Sequence, residues 1–203
     1  MSPPEPMPVS FYARPADRVA RELLGCRLYR RLSSGTRAAG RIVETEAYFG
    51  PDDPASHAFT RTPRSEIMYG PPGVAYVYFT YGIHHCLNAV TGEQGEGSAV
   101  LIRALKPLED LEGMAERRGP AARDEEGRPI PSALCSGPAK LTQALSIDRG
   151  LNGVRLQGPE IWIAAAEEPL PDEEVETTPR IGIREAKDRL ARYVVGDSPC
   201  RSR

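Results

Sequence analysis

Glu44 and Glu46 stand two residues apart in Gly40-Arg-Ile-Val-Glu-Thr-Glu-Ala-Tyr-Phe-Gly50, with Tyr48 two residues further on. In extended backbone, alternate residues share a face. Ile42, Glu44 and Glu46 are therefore expected on one side, and Arg41, Val43, Thr45 and Ala47 on the other. An ionised carboxylate held on a rigid strand and partly desolvated accepts a proton from water; protonated, it donates one to a leaving group. Glu44 and Glu46 compete for that role, and either could instead hold an arginine. Downstream, Val74-Ala-Tyr-Val-Tyr-Phe-Thr-Tyr-Gly82 is the densest aromatic run in a chain that is only 6% aromatic. Tyr48, His57 and Tyr78 offer flat faces that could clamp a planar heterocycle. Stacking of this kind on a nucleobase is worth about 1–3 kcal/mol by truncation, and electron-rich faces favour a cationic ring further.

The elements that must position these residues follow from pattern and punctuation. Val, Ile and Thr favour strand over Gly40–Gly50, and Gly50-Pro51 breaks it. The loop Gly50–Gly73 carries five prolines together with His57, Arg61 and Arg64, and loops of this length in compact domains are usually functional or mobile. Val74–Tyr81 and His84–Val90 pattern as a hairpin around Tyr81-Gly82. Tyr76 and Tyr78 share a face, whereas Tyr81 has the opposite parity and sits at the tip. Ser98–Leu105 is an apolar strand interrupted by Arg103. Pro107–Arg117 patterns as a helix, as does Pro15–Leu24, with Pro15 at its first position and Gly25 as its stop. Cys135-Ser-Gly-Pro-Ala-Lys-Leu141 leads into another, with Ser136 as the expected cap. Cys26–Arg31, Glu160–Ala165, Arg180–Ile183 and Arg192–Val195 supply further strands, with an acidic segment over Glu167–Pro179. The fold class is α+β, a single strand-rich domain over residues 10–203 with a mixed or antiparallel curved sheet, preceded by a disordered leader over residues 1–9.

Composition narrows the class. The chain has 203 residues, 40% hydrophobic and 27% charged, which is ordinary for a soluble domain. No apolar run is long enough to cross a bilayer, and the proline-rich start lacks the basic and apolar regions of a secretory signal, so a cytosolic protein is expected. Cys26, Cys86, Cys135 and Cys200 are widely spaced and without a C-x-x-C pair, which suits reduced core thiols. His57, His84 and His85 lack helical ligand spacing, and no metal or cofactor is expected. The net charge of −2 announces no nucleic-acid partner, although seven acidic residues within Leu151–Thr178 leave the remainder at +4. Only three lysines are present, so covalent lysine chemistry has few candidates.

A projecting tyrosine at a hairpin tip can fill the gap left by an extruded nucleotide. Joined to stacking faces and an activating carboxylate, it fits base excision from a duplex better than a small-molecule reaction. The competing readings are a non-catalytic nucleic-acid-binding module and a metal-dependent hydrolase using His57, His84 and His85. The matching text is Arg41-Ile-Val-Glu-Thr-Glu-Ala-Tyr48, Asp53-Pro-Ala-Ser-His57, Arg61-Thr-Pro-Arg64, Gly73 to Asn88, Val100-Leu-Ile-Arg-Ala-Leu105, Leu134-Cys-Ser-Gly-Pro-Ala-Lys-Leu141, Arg180-Ile-Gly-Ile183 and Arg192-Tyr-Val. On these motifs the chain resembles the alkyladenine (3-methyladenine) DNA glycosylase family, the type not built on helix-hairpin-helix modules.

The resemblance implies a monofunctional hydrolase of damaged purines in double-stranded DNA, acting as a monomer without cofactor. Glu46 would then be the general base. Arg103 would lie at the water and the target nucleotide's backbone. Tyr48, His57 and Tyr78 would wall the pocket, and Asn88 would obstruct the exocyclic amine of guanine. Tyr81 would intercalate, and Arg61, Arg64, Ser136 and Lys140 would fall in segments that approach DNA. His84 and His85 replace the aromatic residues of vertebrate members, and the tail at Leu190-Ala-Arg192 is shorter than usual.

Overall fold

Eight strands and five helices are present among residues 4–80, 82 and 84–202, which the computed structural model of the chain describes. The strands are β1 (Arg27–Arg31), β2 (Arg37–Phe49), β3 (Ala75–Thr80), β4 (His84–Thr91), β5 (Ser98–Glu109), β6 (Ile161–Ala164), β7 (Val175–Pro179) and β8 (Leu190–Val195). The helices are α1 (Val9–Tyr12), α2 (Ala16–Glu22), α3 (Leu111–Arg118), α4 (Pro131–Leu134) and α5 (Pro138–Ala144). The strands form one antiparallel sheet in the order β3-β4-β5-β2-β1-β6, with β8 paired both to β2 and to β7. Tyr81, the expected wedge, and Ile83 lie outside the described residues, so the tip of the β3–β4 hairpin is defined here only through Gly82 and its flanks.

Alternation gives the sheet one core face. Ala75, Val77, Leu87, Ala89, Val100 and Ile102 turn to it and pack with Val19 and Ala20 of α2, Leu23 just after it, Met114 of α3 and Leu141 of α5. Burying one such large side chain is worth about 1.5–3 kcal/mol. The opposite parity sends Tyr76 and Val90 to a second, smaller cluster with Met68 and Tyr69 of the long loop. The functional side chains emerge from that second face.

The alternation expected along Gly40–Gly50 fails at one point. Ile42 packs in the main core with Ala47, and the Thr45 hydroxyl donates to the Ala20 carbonyl at 2.8 Å on the same side. Val43, Glu44 and Glu46 face the other way. The register between β2 and β5 shifts between Ile42 and Glu44 and shifts back between Glu44 and Thr45. Two consecutive residues on each strand, Val43–Glu44 and Arg103–Ala104, therefore leave the core face together. Irregularities of this kind re-aim side chains beside active sites. Here they bring Glu44 and Arg103 into contact.

Four other expectations are corrected. Pro107–Glu109 extends β5, paired through Gly40↔Pro107 and Ala39↔Glu109, and α3 starts only at Leu111, after Asp110 in the left-handed region. Continued pairing with β2 outcompetes the helical spacing there. Arg180–Ile183 is not a strand; Val175–Pro179 inside the acidic segment, with the β-branched Val175, Thr177 and Thr178, takes that place as β7. Arg180 instead turns inward, and residues 180–185 form an irregular strap. Ser136 does not cap α5, whose N-cap is Gly137 without a side-chain bond. Residues expected as a free leader add to the sheet: Pro6 bridges Ala164, and the Met7 amide donates to the Ile163 carbonyl at 2.7 Å.

Gly50 ends β2 in the left-handed region, at φ 68°, and a Cβ there would collide with the Glu96 backbone carbonyl. Gly50→Ala should therefore cost at least about 2 kcal/mol, through strain and displaced backbone. Urea unfolding checks this, and an unchanged midpoint would refute it.

Candidate active site

Arg103 joins the two glutamates. Its Nε donates to Glu44 Oε1 at 2.8 Å, its Nη1 to Glu46 Oε2 at 3.1 Å, and its Nη2 to the Ser202 hydroxyl at 3.1 Å. Both carboxylates are fully buried. Burial alone would push a carboxyl pKa up, but buried charges are tolerated when paired and hydrogen-bonded. For Glu44 burial is outweighed by the hydroxyl and amide of Ser202 and by Arg103 and Arg192, which hold it below the ordinary carboxylate range. Burial likewise opposes the charge of Arg103, and the two glutamates reverse that and raise its pKa.

The carboxylates differ in how many acceptor sites are occupied. A carboxylate offers about four lone-pair sites. Glu44 receives four donors, three of them on Oε1 (Arg103 Nε and Arg192 Nε at 2.8 Å each and the Ser202 hydroxyl at 2.6 Å) and one on Oε2, the Ser202 amide at 2.5 Å. Glu46 receives three among the described residues: Arg103, the Tyr48 hydroxyl at 2.9 Å and the Ile181 amide at 2.7 Å. The two donors on Oε2 leave the open acceptor site on Oε1, beside the Ile181 amide.

Above this base lies a cavity of about 810 Å³. Tyr48, His57, Tyr76, Tyr78, Asn88 and Arg103 line it, and the strap 181–185 closes another side. Glu46 is not itself in the lining; it stands one hydrogen bond behind, through Tyr48 and Arg103. Burial and then the charge of Glu46 push the Tyr48 hydroxyl pKa up, so it remains a donor to that carboxylate. His57 meets Tyr78 edge-on, with centroids 4.5 Å apart, and its Nδ1 lies 2.9 Å from the Tyr76 hydroxyl. The Asn88 amide donates to the Tyr76 carbonyl at 3.0 Å, which fixes its orientation at the wall.

The strap is anchored by a second buried pair. Arg180 donates through Nη1 and Nη2 to Asp53, at 2.5 and 2.8 Å, and through Nη1 to the Ala47 carbonyl at 3.0 Å. Asp53 also accepts the amides of Phe49 and Ala55. This ties strap, strand end and loop together beside Glu46.

The chain matches the family model described as Methylpurine-DNA glycosylase (MPG) over residues 10–199. It belongs to that family. Relatives whose names carry the words 3-methyladenine DNA glycosylase agree. One from Carboxydothermus hydrogenoformans is 47% identical over 92% of this chain and 93% of its own length. One from Herpetosiphon aurantiacus is 46% identical over 93% and 84%, and one from Methanoculleus marisnigri 44% identical over 95% and 96%. The chain is thus a DNA glycosylase by family.

Within this methylpurine-DNA glycosylase the expected site residues fall into groups. Glu46, Arg103, Tyr48, His57, Tyr78 and Asn88 come together at the cavity and its floor. Arg64 also lines it, its guanidinium 4.9 Å from the Tyr78 ring centroid. Arg61 does not: it pairs with Glu66 and lies over Tyr69. Ser136 and Lys140 bond to each other at the start of α5, outside the lining. The three histidines are not brought together, since His57 faces Tyr76 while His85 lies against Phe79. Sequence reasoning missed Asp53, Arg180, Arg192 and Ser202. Asp53 and Arg180 lie in matched motifs, but nothing local signals a bond across 127 residues.

Although part of its ring is open to the cavity, burial and then the Arg64 charge lower the His57 pKa to about 4. With the folded value below the ordinary one, the stability that neutral His57 contributes is complete above about pH 6.5 and is lost as pH falls towards 4. An NMR titration should give its imidazole a midpoint near 4. A midpoint at the ordinary 6.5 would overturn this account.

Proposed function

We propose that the chain is a monofunctional glycosylase that extrudes damaged purines from double-stranded DNA and hydrolyses the N-glycosidic bond with water activated by Glu46. The substrate classes are alkylated purines, such as 3-methyladenine and 7-methylguanine, and deaminated or bridged ones, such as hypoxanthine and ethenoadenine. The observation that carries this reading is the position of Glu46 directly behind the cavity wall: three lining residues, Tyr48, Arg103 and Ile181, donate to it, and its Oε1 accepts only the Ile181 amide among the described residues. A water O–H donated to that oxygen loses its proton to the carboxylate as its oxygen bonds to the sugar C1′. The C1′–N bond breaks with its electron pair moving to the base, leaving an abasic site.

Alkylated purines with a fixed positive charge leave as neutral bases and need no proton. A neutral purine needs one at the leaving nitrogen. Tyr48, His57 and Tyr78 supply the stacking faces for the extruded base, and Asn88, fixed on the Tyr76 carbonyl, narrows the wall against guanine's exocyclic amine. Tyr81 fills the gap in the duplex, and the exposed Arg64 and Lys140 attract the phosphate backbone. The enzyme acts on the duplex as a monomer, because extrusion uses one face of the molecule.

Glu46→Gln should lower single-turnover excision by about 10²–10⁴-fold, the range of a general base, while lesion-duplex binding persists. Abasic product formed at an unchanged rate would remove Glu46 from this role. In the same assay Tyr81→Ala should weaken capture of the extruded nucleotide. A wild-type chain that binds lesion DNA yet yields no abasic product would favour a non-catalytic binding module.

A further inference from the structure

The floor of the cavity is electrically balanced. Glu44, Glu46 and Asp53 face Arg103, Arg192 and Arg180 in bonded pairs among the described residues. No surplus negative charge lies there to attract a cationic ligand, so the task falls to aromatic faces. Two of these rings carry a guanidinium: the cavity-lining Arg64 lies over Tyr78, and a buried one stands behind Tyr48. The Arg180 guanidinium lies 4.7 Å from the centroid of the Tyr48 ring, buried and absent from the cavity lining. A cation on one face of an aromatic ring draws on the same π density that a cationic base would use on the other. Asp53 cancels that charge through two hydrogen bonds, with neither side chain exposed to solvent.

We propose that the Asp53–Arg180 pair is a specificity element. By keeping the charge behind Tyr48 at zero, it lets that ring accept cationic N-alkylated purines and neutral purines alike. Unbalancing the pair in either direction changes which of the two the cavity prefers. This inference rests on the proposed function and names the charge class on which the same site discriminates. The pair touches no reacting atom and acts through Tyr48. A unit charge roughly 10 Å from the bound base, at the effective dielectric of a partly buried site, changes cation binding by about ten- to twentyfold.

The test needs two ligands of one shape and different charge. Duplexes carrying 7-methylguanine, which is cationic, and 7-deaza-7-methylguanine, its neutral isostere, meet that need. Affinities for both are measured in the Glu46→Gln background, so that neither base is released. Asp53→Asn leaves Arg180 uncompensated and should shift the affinity ratio about tenfold towards the neutral base. Arg180→Met leaves Asp53 ionised, since the Phe49 and Ala55 amides still bond it, and should shift the ratio the other way. The double variant should return to within about twofold of the parent, as expected of coupled residues.

A purely structural role would lower both affinities equally and leave the ratio fixed in every variant, which would overturn the proposal. Because loss of one partner from a buried pair is destabilising, one single variant could fail to fold. The sign of the shift in the other then decides. Failure of the underlying reading has a separate signature: the unvaried chain would release no abasic product from the 7-methylguanine duplex.

Discussion

A guanidinium buried between two carboxylates constrains this structure more than any other contact. Arg103 cannot sit in the interior alone, since an unpaired charge there costs several kcal/mol. Its three outward nitrogens reach Glu44, Glu46 and Ser202. That requirement accounts for features which look unrelated along the chain. The paired irregularities in β2 and β5 turn Glu44 and Arg103 to the same side. Strand β8 runs beside β2 through Glu44–Glu46, where Arg192 can reach Glu44. The chain beyond β8 folds back so that Ser202 completes the shell of Glu44. The two carboxylates differ in which way they face: Arg192 and Ser202, which hold Glu44, lie outside the cavity lining, whereas Tyr48 and Ile181, which hold Glu46, belong to it.

Above that floor the cavity wall is largely aromatic, with Arg64 over Tyr78 and the charged Arg184 and Glu185 on the strap side. His57 is held neutral, and Tyr48, Tyr76 and Tyr78 keep their protons because burial raises each hydroxyl's pKa. Charge that develops inside is therefore met mainly by π faces and by the Arg103–Glu46 contact.

Much of this was legible in the sequence because it is written locally. The Val, Ile and Thr content of Gly40–Gly50, the tyrosine spacing of the β3–β4 hairpin and the core parity of Val77, Leu87 and Ile102 all have period two. The bulge at Val43–Glu44 did not announce itself, since two residues facing one way within an alternating run look identical to two in register. The helix expected from Pro107 failed because cross-strand pairing with Ala39 and Gly40 is tertiary information. The strap failed for the same reason: Arg180 resembles a strand residue until Asp53 is known to lie beneath it. Strand parity could not choose between Glu44 and Glu46; only the family resemblance favoured Glu46, and the partners that hold Glu44, Ser202 and Arg192, lie 158 and 148 residues from it along the chain.

One donor to Glu46 belongs to the main chain. Every residue except proline supplies this N–H, so a change of side chain at position 181 leaves the donor in place. Its geometry depends instead on path length between two anchors, Arg180 on Asp53 and β8 on β2. Position 181 is therefore tolerant in side chain while the strap is intolerant in length: gaining or losing a single residue there would move the amide away from the carboxylate it serves.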